Sequence, residues 1–133
     1  MMHYMKLQKE PFEMIKSGKK IYELRLFDEK RKAIKVADQI EFTSVYSGEK
    51  LIVEVEDLLI FPSFFELYNS LSPLEIGYNE CDSKTASHLD MQRYYSKEEQ
   101  ELFGVVAIKI KMIKNLIRRK KHSQIIDKLN EMQ

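Results

Sequence analysis

The sequence predicts an α+β domain, a small and mostly antiparallel β-barrel or curled sheet with helices inserted. Three observations predict it. Short apolar/polar alternations recur toward both ends of the chain, as strands with one covered face require. The stretch between them replaces alternation with helix-start and helix-stop signals. Finally, 133 residues that are 44% hydrophobic and 32% charged are enough for one buried core and too apolar for a disordered chain.

The elements follow in order. Met5 and Leu7 alternate with polar neighbours as a first strand. Pro11 suits the first position of a helix over 11–17, with Phe12 and Ile15 on one face and Gly18 at the C′ position. Tyr22, Leu24 and Leu26 alternate with Glu23 and Arg25, predicting a strand with an apolar and a charged face. DEKRK (28–32) is expected as a charged loop. Ile40 and Phe42 begin another strand, Ser47-Gly48 marks a turn, and 51–59 is its hairpin partner. Three S-x-x-E patterns, Ser63…Glu66, Ser72…Glu75 and Ser96…Glu99, predict capped helix starts, with Gly77 and Gly104 as stops. A further helix is expected over 84–95. Val106, Ile108, Ile110 and Met112 form one face of a last strand. The expected core contains Tyr22, Leu24, Val53, Val55, Ile108 and Ile110. Residues 1–113 form the expected domain, and 114–133 an amphipathic basic helical extension with Ile125, Leu129 and Met132 in one stripe.

Composition narrows the function classes. Cys81 is the single cysteine and no Cys/His cluster exists, so neither a disulfide nor a metal site is expected, and no cofactor either. The run MMHYMKLQKE is too polar for a signal peptide, and no segment approaches the ~20 apolar residues of a membrane span. A reducing, cytoplasmic location without membrane contact is the expectation. The net charge of +1 implies no nucleic acid, but its distribution is uneven. Residues 16–35 hold eight Lys/Arg against three acids, residues 49–101 hold twelve acids against four bases, and residues 109–122 hold seven Lys/Arg and no acid. That asymmetry either builds an anion-attracting face or spreads over separate solvated faces.

No nucleotide-loop, zinc-protease or serine-hydrolase motif occurs. The informative stretch is SGKKIYELRL (17–26). Glu23 and Arg25, two apart on a strand, project the same way, with Lys20 just upstream. A carboxylate between two cations suits a polar pocket for a base or nucleoside. The same spacing also describes an exposed ion pair of little consequence. Tyr94-Tyr95 is either a stacking surface or packing, and RRKKH (118–122) either a phosphate contact or a solvated helix face.

Gly18-Lys19-Lys20-Ile21-Tyr22-Glu23-Leu24-Arg25 resembles the G-x-K-x-x-E-x-R signature of ASCH domains. EPFEMIKSGKK before it, DEKRKAIKVADQIEF after it and YYSKEEQELFGVVAIKIKMI near the end are similar to the order seen in small bacterial members, over roughly residues 3–113. The resemblance implies a PUA-like β-barrel with a cleft beside the signature helix and strand, and RNA as the commonly proposed ligand. Lys20, Glu23 and Arg25 would line that cleft, and Lys19, Lys30 and Arg31 would supply the electrostatic approach. Some small relatives are amidohydrolases that deacetylate acetylcytidine. Their catalytic lysine aligns with Lys20, but their catalytic threonine falls at Glu23, and their catalytic glutamate lies in the inserted helical region. Many members have glycine where this chain has Ala37, so a shifted turn is expected there. The expectations are therefore an RNA- or nucleoside-binding module first, an amidohydrolase with Lys20 and Glu23 in the reaction second, and a protein-interaction adaptor third. A homodimer through the C-terminal helix is a further expectation.

Overall fold

The computed structural model describes residues 1–115. The alternating segments become five strands: β1 (Met2–Leu7), β2 (Tyr22–Leu26), β3 (Gln39–Ser44), β4 (Lys50–Phe61) and β5 (Val105–Asn115). Their order is β1-β3-β4-β5-β2, with β1 parallel to β3 and every other pairing antiparallel. The result is a curled half-barrel, the α+β PUA-like arrangement expected. Curling comes from β4, whose twelve residues carry register shifts at Ile52/Val53 and Val55/Asp57. A bulge bends a strand and increases its twist.

Helix α1 (Lys9–Lys16) begins two residues before Pro11, which sits in the first turn, where its missing N–H is still not needed. Phe12 and Ile15 are its buried face. Gly18 ends it with φ +81°, as its C′ position demands. The expected loop 28–32 is instead a helical turn, α2 (Glu29–Lys32), because Asp28 accepts from the Arg31 N–H and caps it. Helices α3 (Phe64–Ser70) and α4 (Lys97–Phe103) follow Ser63 and Ser96 as expected. Ser72…Glu75 starts no helix. Its carbonyl accepts from Glu75 and Ile76 within a turn, since no helical apolar stripe follows it. The 84–95 stretch is two 3-10 turns, Asp82–Thr85 and His88–Arg93.

The core is two clusters on opposite sheet faces, and this corrects the single expected core. Val53, Val55, Ile108 and Ile110 pack with Phe12, Ile15, Ile40 and Phe42 inside the curl. Tyr22 and Leu24 lie on the other face, against Phe64, Leu67, Ile76, Val105 and Ala107. So β2 turns its apolar residues toward α3 and its charged residues, Glu23 and Arg25, toward the inside of the curl, opposite Ile108 and Val106.

At Ala37 the turn has not shifted. Its φ is +76°, and its N–H donates to Val55 O at 2.8 Å while Val55 N–H returns to Asp38 O at 2.8 Å. The turn plugs into the β4 bulge, so alanine holds a conformation that glycine adopts at lower cost. No helix among the described residues is long and apolar enough to cross a membrane, and no His/Cys/Asp/Glu group among them suits a metal ion. Residues 114 and 115 belong to β5, and the rest of the expected helical extension of 114–133, with its expected dimer role and RRKKH, lies outside the described residues.

Candidate functional site

Strands β1 and β2 are the two edges of the curled sheet, and the signature residues sit where these edges approach. After Gly18 the chain wraps the end of α1, with Lys19 and Lys20 N–H both donating to Met14 O. That wrap delivers Lys20 Nζ to Glu23 Oε1 at 3.1 Å. From the other side, Arg25 Nε and Nη2 both reach Glu23 Oε2 at 2.9 Å. Arg25 Nη2 also donates to Lys6 O of β1 at 3.0 Å, bridging one sheet edge to the other.

The sequence left open an exposed ion pair, and the structure excludes it. Glu23 is 4% exposed and Lys20 9%. Gly77 covers Lys20 so closely that an added Cβ would lie 3.0 Å from Lys20 Cδ, and its φ of +114° also requires glycine. The Glu75 carbonyl accepts from Ile21 and Tyr22 N–H, tying the same insert to the start of β2. Burial alone would raise the Glu23 pKa. The charges of Lys20 and Arg25 and their hydrogen bonds outweigh it and hold the carboxyl below its ordinary value of 4.5. Burial lowers the Arg25 pKa, but Glu23 and the Tyr95 hydroxyl outweigh that and favour its charged form. With both oxygens occupied and its pKa depressed, Glu23 is a poor general base.

Beside the triad lies a shallow cavity of about 350 Å³, lined by Tyr4, Met5, Lys6, Arg25, Lys30, Arg31 and Thr43. Of the expected site residues, Arg25, Lys30 and Arg31 line it. Lys20 and Glu23 stand behind Arg25 rather than in the cavity, and exposed Lys19 does not line it. Asp28 holds Arg31 through Nη1 at 2.9 Å. Arg31 Nε is buried and has no hydrogen-bond partner among the described residues. Tyr95 is half-buried and stacks on Phe64 with ring centroids 5.9 Å apart, whereas Tyr94 is 59% exposed. A second groove of about 540 Å³ lies between α3, α4 and the 88–93 turn, away from the signature.

Sequence reasoning missed Tyr4, Lys6 and Thr43. Tyr4 and Lys6 alternate with the buried Met5 and look like an ordinary solvent face. Only the parallel register of β1 on β3, which sets Lys6 opposite Thr43, brings them to the seam.

The sequence model described as ASCH domain matches residues 5–114. Two solved Pyrococcus structures resemble the chain. One is the crystal structure of a hypothetical protein, 36% identical, covering 85% of this chain and 100% of its own with a TM-score of 0.71. The other is the solution structure of a Pyrococcus furiosus protein, 35% identical, covering 86% and 99%, with a TM-score of 0.62. Both are archaeal, whereas the sequence resemblance pointed to bacterial members. No curated protein matches.

Proposed function

The chain belongs to the ASCH domain family, and from that premise we propose that it is a binding module for RNA or a nucleotide-sized ligand, held in the cavity at the β1/β2 seam. The observation that carries this reading is the lining itself: four cations, Lys6, Arg25, Lys30 and Arg31, and no carboxylate among the described residues that line it. Side chains of this kind attract phosphate, and Arg offers it a fixed fork of donors. The Tyr4 ring, 62% exposed at the cavity, offers a base a stacking face. The buried triad supports the reading from behind. It fixes Arg25 in one orientation, so the guanidinium is ordered before any ligand arrives.

The test is equilibrium binding of a short single-stranded RNA at rising salt. Three or so phosphate contacts predict affinity falling by about tenfold or more between 50 and 200 mM salt, and Lys30→Ala and Arg31→Ala should each weaken binding. Absence of RNA and nucleotide binding sinks the proposal. Rapid release of acetate from acetylcytidine, lost in both Lys20→Ala and Glu23→Ala, would put an amidohydrolase in its place.

A further inference from the structure

The seam cavity carries more positive charge than one phosphodiester matches. Arg25 is engaged by Glu23 and Arg31 by Asp28, while Lys6 and Lys30 have no carboxylate partner among the described residues. Glu23 is also shared with Lys20, so the triad behind the cavity remains cationic. Arg31 lines the same cavity, so the charge of its guanidinium is presented there as well. Thr43 contributes a neutral hydroxyl to the same lining.

An internal phosphodiester brings one negative charge and two free oxygens. A terminal phosphate monoester brings about −1.5 to −2 near neutral pH and three acceptor oxygens. The second matches two unpaired lysines beside two lining guanidinium groups better than the first. Resting on the reading of this cavity as the nucleotide site, we infer that it recognises a terminal phosphate monoester, with Lys30 and Arg31 as the residues that select it. The chemistry is shared by two sources, the phosphorylated end of an RNA strand and a free nucleoside monophosphate. Tyr4 at the cavity is placed to stack on the nucleotide that carries the phosphate.

The experiment measures binding of the full chain to one short single-stranded RNA in three forms, with a 5′-phosphate, with a 3′-phosphate and with neither. Adenosine monophosphate and adenosine form a parallel pair. One phosphorylated form should bind about tenfold tighter than the unphosphorylated strand. That gain should disappear in Lys30→Ala and shrink to about twofold in Arg31→Lys, which keeps the charge but loses the planar donor fork. Lys84→Ala, a lysine outside the cavity lining, should leave it intact. An equal gain for adenosine monophosphate over adenosine names the free nucleotide as sufficient, and a gain confined to RNA names the strand end; either outcome supports the inference. Equal binding of all three RNA forms overturns it while leaving RNA binding standing. So does a phosphate gain that survives unchanged in both variants. No binding by any probe removes the inference and the RNA reading together.

Discussion

The Lys20–Glu23–Arg25 triad and the α2 turn are built from the same residue types, yet they do opposite things. In the triad each charge is buried or nearly so, and both Glu23 oxygens are occupied. Across the seam, Lys30 is exposed and Arg31 half-buried, with a guanidinium N–H left over. A buried, satisfied ion cluster fixes geometry but has little capacity left for a ligand. An open, under-neutralised one contributes little to the fold and keeps its capacity. The family signature is thus mostly a latch that closes the sheet edges and orients Arg25. On the proposed reading, most of the ligand-facing capacity lies in Lys6, Lys30 and Arg31, which the signature does not contain, and Arg25 is the signature residue that reaches the cavity.

The largest effect that should follow from this contrast is on stability. Glu23→Gln keeps the shape of the side chain and leaves two cations facing each other in a covered site. Breaking a buried ion cluster in this way costs about 3–5 kcal/mol. Urea unfolding should show it, and a loss below about 1 kcal/mol would mean that the triad is solvated in solution. The same residue sets an acid response. Its folded-state pKa is depressed, so its contribution is complete above the unfolded value near 4.5 and is lost as pH falls through the folded value. Asp38, lowered to about 2 chiefly by its hydrogen bond from His3, loses its contribution as pH falls from its ordinary value of 3.8 through about 2. Wild type should therefore lose stability steadily below about pH 5. Glu23→Gln should show a shallower slope there, and an unchanged slope would assign the acid response elsewhere.

What the sequence made legible was local and periodic. The strand alternations, the α1 face, the Gly18 stop and the Ser63 and Ser96 starts all depend on neighbours within a few residues. The convergence of Lys20, Glu23 and Arg25 was legible for the same reason. Their burial was not. Alternation reveals that one face of β2 is apolar, but not that the insert around Gly77 closes over Lys20 and that Glu23 is buried on the other face. Four residues of α2 are too few to show a helical period. Lys6 and Thr43 meet through a pairing of strands far apart in sequence, which no local pattern records.

Ala37 tests the scaffold that holds the two regions apart. It sits at φ +76° because its N–H must reach the β4 bulge. Glycine there removes the steric cost of a left-handed alanine but gives the unfolded chain more freedom. Ala37→Gly should stabilise the domain by about 0.5–1 kcal/mol in thermal or urea unfolding. Binding at the seam should not change, since Ala37 does not line the cavity. Destabilisation would mean that the turn adopts a different backbone conformation in solution.

The smallest effect on the fold comes from Lys30→Ala, and it separates the two regions most sharply. Lys30 is exposed, lies in a helical turn with no buried residue and has no carboxylate partner among the described residues. Alanine is also the better helix former, so unfolding free energy should stay within about 0.5 kcal/mol of wild type. Losing one phosphate contact should lower RNA affinity severalfold at moderate salt and reduce the salt slope by about 0.7. Glu23→Gln should do the reverse in kind. It should weaken binding mainly through a disordered Arg25, alongside the loss of stability, and nearly keep the slope, because no cavity cation is removed. If instead Lys30→Ala unfolds the domain, or Glu23→Gln binds RNA as wild type does, the division between latch and ligand face fails.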